Sequence, residues 1–145
     1  MQLDNMFLQA CKNNQKSVAI TFLKRGGIDV NKRDESGNTP LIYACMKNAR
    51  DLVKLLLENN ADASLGNQQD RMPLHFAAET GNSEIIALLT GAGADVNCTD
   101  KNGQTPLMVM AQRGKTDAAL KFIQNPDIDI NIKDNDNLMA IDYAT

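Results

Sequence analysis

Apolar residues in this chain fall into short stripes separated by polar, turn-rich segments. Asp51-Leu52-Val53-Lys54-Leu55-Leu56-Leu57 and Glu84-Ile85-Ile86-Ala87-Leu88-Leu89 carry the spacing of helices with one buried face. Three further helical starts, Thr39-Pro40-Leu41, Met72-Pro73-Leu74 and Thr105-Pro106-Leu107, recur at intervals of 33 residues. A second series follows the outer segments: Ile28-Asp29-Val30-Asn31, Ala61-Asp62-Ala63-Ser64, Ala94-Asp95-Val96-Asn97 and Ile128-Asp129-Ile130-Asn131. Two interleaved series in constant register predict a repeating unit of two helices and a connecting hairpin.

Each position in the unit has a physical reason. Thr39 and Thr105 suit a helix N-cap, and Pro40 and Pro106 stand at the first helical position, where a missing N–H costs nothing. Gly37 and Gly103 suit a hairpin tip that needs positive φ. Gly81 and Gly114 occupy the bend between paired helices, where the first two units carry Asn14 and Asn48, the next-best residue for a left-handed conformation. In the third unit Asp70 replaces the tip glycine and Met72 the capping threonine, so that hairpin is expected to be the least regular.

This 33-residue helix-turn-helix unit resembles the ankyrin repeat, and the resemblance covers almost the entire chain. It implies a mainly α fold, a solenoid of stacked helix-turn-helix units joined by β-hairpin-like loops. The chain reads as a single domain, 1–145, with units at 1–31, 32–64, 65–97 and 98–131 and a partial unit at 132–145. Units one and four each carry an extra residue, around Gly26-Gly27 and Asn125-Pro126. In the fifth unit Leu138-Met139-Ala140-Ile141 replaces the Thr-Pro-Leu segment and the outer helix is missing. Solenoid ends normally need a polar outer face. A fragment of a longer protein is therefore expected ahead of a minimal cap built by Ile141 and its neighbours.

Composition narrows the function. Of 145 residues 43% are hydrophobic, enough for a core. Aromatics make up 4% and Trp is absent, which argues against a stacking platform for single-stranded nucleic acid. The net charge of -3 and pI of about 5.0 argue against phosphate neutralisation generally. The first residues lack the basic and apolar regions of a signal peptide, and no apolar run has the length of a membrane span. Three cysteines without a CxxC fit neither a disulfide framework nor a zinc site. A cytoplasmic location is the simplest expectation, with export lacking an N-terminal signal as the alternative.

Candidate chemistry is sparse. His75 is the only histidine; the resemblance gives it hydrogen bonds within and between repeats, and it has no obvious metal co-ligands. Cys11 and Cys45 share one position in neighbouring inner helices, in place of Ala78 and Ala111, and are expected as small core residues. Cys98, on a hairpin, is expected to be partly exposed and open to labelling, without a base to make it a nucleophile. The pairs Asp127/Asp129 and Asp134/Asp136 lack the glycine and terminal glutamate of an EF-hand and read as turn-forming residues. No catalytic residue, cofactor or metal ligand is expected.

Ankyrin relatives usually meet their partners through hairpin tips and the exposed side of the inner helices. Carried over, those positions give Arg33, Glu35, Ser36, Asn38, Gln68, Gln69, Arg71, Thr99, Lys101, Asn102, Gln104 and Lys133 on the hairpins. The inner-helix ends add Lys12, Asn13, Met46, Lys47, Glu79, Thr80, Gln112 and Arg113, with Met46 as a possible apolar anchor. Seven of these are basic and two acidic, a net +5 that leaves -8 elsewhere in a chain of -3. An acidic segment on a protein partner is expected, with neither nucleic acid nor membrane. A scaffold or adaptor module, monomeric rather than oligomeric, is the leading reading, although the truncated last unit could promote pairing with another copy. The alternatives are an inhibitor or immunity-type protein that occludes an enzyme, or the recognition domain of a protein whose catalytic part lies elsewhere.

Overall fold

The computed structural model describes residues 2–144. Helices alternate between an inner and an outer row. The inner row is α1 (Gln2–Lys12), α3 (Pro40–Met46), α5 (Pro73–Thr80), α7 (Pro106–Gln112) and α9 (Ala140–Tyr143). The outer row is α2 (Lys16–Arg25), α4 (Arg50–Glu58), α6 (Ser83–Gly91) and α8 (Thr116–Phe122). Each of α2, α4, α6 and α8 packs back on the inner helix before it, and the inner helices stack on one another at every step. Among the outer helices only α4 and α6 are in close contact. The outer row thus spans the wider arc, and the inner helices face the concave side. No strand is present among the described residues.

The stack is held by repeated positions. Leu41, Leu74 and Leu107 each stand second in an inner helix and are 1%, 0% and 8% exposed. Ile85, Leu89, Leu52 and Leu56 of the outer row are buried in the same cluster, as are Cys11 and Cys45 with Ala44, Ala77 and Ala78. The equivalent residue in α9, Ile141, is 73% exposed, because no outer helix follows it among the described residues. Leu107, Leu120, Ile123 and Ile130 line an open apolar recess of about 370 Å³ with it.

Helix entry is solved in two alternating ways. Thr39 and Thr105 accept the N–H of Ile42 and Met108 through their hydroxyls, at 3.1 and 3.3 Å. Met72 and Met139 have no such oxygen. There the third helical residue reaches back instead: His75 Nδ1 accepts the Met72 N–H at 3.0 Å, and Asp142 Oδ2 accepts the Met139 N–H at 2.8 Å. The predicted left-handed bends are present at Asn14, Asn48, Gly81 and Gly114, with φ from 54 to 69°. The extra residues are absorbed locally, by positive φ at Gly26 and Gly27 and by an Asn125 side chain that accepts the Asp127 N–H.

The third hairpin is as regular as the others, against expectation. All four hairpins are closed by the same backbone bond, Asp34 to Asn38, Asn67 to Arg71, Asp100 to Gln104 and Asp134 to Leu138, at 2.8–3.1 Å. Asp70 takes φ +56° where Gly37 has +79°, since a short polar side chain tolerates the left-handed region. Neighbouring tips are tied by one backbone bond each: Gln68 N–H to Ser36, Lys101 N–H to Gln69 and Asn135 N–H to Asn102.

The internal comparison sets a stability prediction. Leu74→Ala should cost about 2–5 kcal/mol, the range for a sealed core leucine. Ile141→Ala, at the same repeat position but open to water, should stay within about 0.5 kcal/mol. Urea unfolding of both variants checks it, and equal losses would mean that the end of the stack is not open.

Candidate functional site

The hairpin bases are built around one polar side chain per unit: Asp34, Asn67, Asp100 and Asp134. In each, Oδ1 accepts the backbone N–H two and four residues on, at 2.9–3.1 Å, which shapes the loop. The second carboxylate oxygen needs a partner of its own. In units two and five Tyr43 and Tyr143, nine residues on, donate their hydroxyls to Asp34 and Asp134. The Tyr143 hydroxyl, helped by the Leu138 N–H, holds the Asp134 carboxyl below its usual range. In unit four the residue nine positions on is Val109, which has nothing to donate.

Arg71 of the preceding unit fills that gap. Its Nη1 donates to Asp100 Oδ2 at 3.0 Å and its Nη2 to Glu79 Oε1 at 2.8 Å, while the guanidinium lies 5.3 Å from the centre of the Phe76 ring. The Asp100 side chain is 2% exposed and that of Arg71 20%. Arg71 is therefore a pinned residue joining two repeats rather than a free contact. Arg113, by contrast, is 57% exposed and reaches the same Glu79 oxygen only at 3.6 Å.

The other candidates divide in the same way. Asn38 is half-buried between the Tyr43 hydroxyl and the Asn67 amide, and the Gln68 amide donates to the Glu35 carbonyl. Gln104 is half-buried, with its carbonyl facing His75 Nε2 at 2.8 Å. Arg33, Glu35, Gln69, Lys47, Lys101, Asn102 and Gln112 are exposed, as is Met46, which does not tuck between the inner helices. Arg33, Lys47 and Lys101 have no ion-pair partner among the described residues. Lys12 sits over the Tyr43 ring at 5.4 Å. Asp100, Phe76 and the two tyrosines were missed from the sequence; the only available signal was the offset of nine from each hairpin-base residue.

Cys98 corrects an expectation. It is buried rather than partly exposed, with Sγ 3.9 Å from His75 Nδ1, because the Ala-Asp-Val-Asn turn folds it under the hairpin. Burial pushes its thiol up to about 12, as it does that of Cys11. Among the described residues no group of three or more His, Cys, Asp or Glu is placed to hold a metal ion, and no helix is long and apolar enough to cross a membrane.

His75 bonds within and between repeats. Nδ1 accepts from Met72, so the neutral ring carries its proton on Nε2 and donates to Gln104. Burial, followed by the opposing pull of the Gln104 carbonyl and repulsion from Arg71, leaves its pKa below the ordinary 6.5. The unfolded chain therefore binds the proton first as pH falls, and stability should decline from about pH 6.5 downward. Thermal melts between about pH 7 and 5 should show this slope, and His75→Gln, which keeps a donor and an acceptor, should flatten it. An equal slope in both would assign the effect to other groups. Stability also separates the two arginines: Arg71→Ala should cost about 2 kcal/mol by stranding Asp100, and Arg113→Ala less than about 0.5. Equal losses in urea unfolding would remove the distinction between pinned and free.

Comparison with known proteins covers residues 7–144. The family described as Ankyrin repeats (3 copies) matches residues 7–100, and Ankyrin repeats (many copies) matches residues 88–144. An ankyrin repeat protein of Fowlpox virus (strain NVSL) is 41% identical over 59 residues, 41% of this chain and 13% of its own length. Acyl-CoA-binding domain-containing protein 6 of Danio rerio is 37% identical over 57 residues, 39% of this chain and 19% of that protein. An ankyrin and IPT/TIG repeat-containing protein of Schizosaccharomyces pombe is 51% identical over 45 residues, 31% of this chain and 4% of that protein. The matched stretches thus span a small part of the relatives' lengths.

Proposed function

The chain belongs to the ankyrin-repeat family, and on that premise we propose that it binds a protein partner along its concave face. Ankyrin repeats are generally protein–protein interaction modules and generally non-catalytic. The observation that carries the proposal is the row of exposed, uncommitted side chains along the inner helices and tips, above all the cations Arg33, Lys47 and Lys101. Arg113 joins them, and Met46, 45% exposed, supplies apolar area in their midst. Glu35, Gln69, Asn102 and Gln112 complete the contact surface. Arg71, Asn38, Gln104 and Glu79, all half-buried, shape that surface through their bonds between repeats, and Gln68, exposed, adds to it while its amide donates to the Glu35 carbonyl.

Charge gives the partner its character. Of the five charges among these exposed side chains four are basic and only Glu35 is acidic, in a chain of -3, so an acidic segment approaches this face and is repelled elsewhere. The role is that of a scaffold or adaptor.

Capture from the source material tests it, using the chain immobilised as wild type, as Lys47→Glu with Arg113→Glu, and as Lys54→Glu with Lys121→Glu. The last pair makes the same change in charge on the outer helices α4 and α8, where both lysines are exposed. A partner lost only by the concave pair, and released as salt shortens the Debye length to about 8 Å, supports the reading. Loss with both pairs reduces the effect to net charge, and retention by both moves the site off this face.

A further inference from the structure

We propose that Glu79 is an internal stand-in for a carboxylate of the partner, holding Arg113 until an acidic side chain displaces it. The inference rests on the concave-face reading and names the pair of residues that sets its specificity. Glu79 Oε1 faces two guanidinium groups, but the two are not alike. Arg71 donates to it at 2.8 Å while also bound to Asp100 at 3.0 Å and stacked on Phe76. Withdrawing Arg71 would strand a carboxylate whose side chain is 2% exposed, so this arginine stays in place.

Arg113 has none of these ties. It follows α7 at the C-cap, its side chain is 57% exposed, and its approach to Glu79 at 3.6 Å lies beyond the length of a charge-assisted hydrogen bond. Its side chain donates no hydrogen bond among the described residues, although a guanidinium carries five N–H groups in a planar fork. An incoming carboxylate therefore finds a complete, solvated fork with only a weak competitor beside it. The competitor has a cost for the partner: Glu79 attracts the same cation and repels the same anion.

The two roles separate by charge. Arg71 with Asp100 is neutral and structural, and Arg113 with Glu79 is neutral and exchangeable. A partner carboxylate at Arg113 leaves Glu79 on Arg71, which already holds it. The exchange needs no change in the repeat stack, only rotation of one exposed side chain.

The test measures fluorescence anisotropy of a labelled Glu-Gly repeat peptide, with the Gln-Gly peptide as neutral control, at low ionic strength. The chain is used whole, as wild type, Glu79→Gln, Arg113→Gln, Arg113→Lys, Glu35→Gln and the Glu79/Arg113 double variant. Glu79→Gln keeps an oxygen for Arg71, and thermal melts confirm that each variant folds. We expect Glu79→Gln to tighten the Glu-Gly peptide about three- to fivefold, the worth of an exposed pair. Glu35→Gln, the same change in net charge on the same face, should do much less. The gain from Glu79→Gln should vanish with Arg113→Gln and shrink with Arg113→Lys, which keeps the charge that Glu79 competes for and loses the fork that a carboxylate fits. Equal gains from Glu79→Gln and Glu35→Gln, or a gain that survives loss of Arg113, would overturn the stand-in while leaving the acidic-partner reading intact. If no variant distinguishes the acidic from the neutral peptide, the acidic-partner reading fails and this inference with it.

Discussion

A pair of helices seven to eleven residues long has two apolar sides and can cover only one of them by itself. The second side leaves water only when the next pair is laid on it. That constraint explains the sequence of burial at one repeat position, from sealed at Leu41 and Leu74 through nearly sealed at Leu107 to open at Ile141. The leucine does not decide its own burial; its neighbour does. It also explains why small residues dominate the inner seam. Ala44, Cys45, Ala77 and Ala78 let helix axes approach closely, and a larger side chain there would hold the units apart.

Stacking by apolar contact leaves the hairpins without a sheet to order them, and polar side chains take over. One Asp or Asn per unit gathers two backbone N–H groups, and what remains of it must be satisfied as well. Tyr43 and Tyr143 do this from within the unit. Where Val109 stands in the tyrosine's place, the need passes to Arg71 one repeat away. Phe76, which has lost the hydroxyl that Tyr43 carries at the same position, offers Arg71 its ring face instead. The three carboxylates thus meet one requirement with two arrangements, and the departure from the repeat adds an ion pair between units three and four.

The period, the caps and the bends were legible because each depends on residues close in sequence. Thr39 before Pro40, or Gly81 after α5, declares its conformation locally. The hairpin of the third unit is regular although Asp70 and Met72 are not the commonest residues at their positions. The physical requirement, positive φ and an occupied N–H, was met by other means. Cys98 was misplaced for a different reason: hairpin membership says nothing about which side of the loop faces the stack. The bonds that engage the hairpin-tip side chains were the least legible. A register can show that Arg71 lies on a tip, but its capture by Asp100 spans 29 residues and depends on what Val109 lacks.

The consequence is that the proposed partner face is also the seam between repeats, so its charges would serve two ends. A formal count over the positions treats Arg71 and Arg113 alike, yet one is part of the fold and the other is available. Asp100 does not stand among those positions, although its buried carboxylate cancels the first of them. On the proposed reading, electrostatic recognition would follow the side chains left over after inter-repeat bonding, not the composition of the face. A repeat protein can change its partner by altering those leftovers while the hairpin-base residue and its donor keep the stack intact. The structural bonds of Arg71 converge on Oδ2 of a buried carboxylate, the exposed cations stand at hairpin tips and helix ends, and the two sets meet only at Glu79 Oε1, which faces both Arg71 and Arg113.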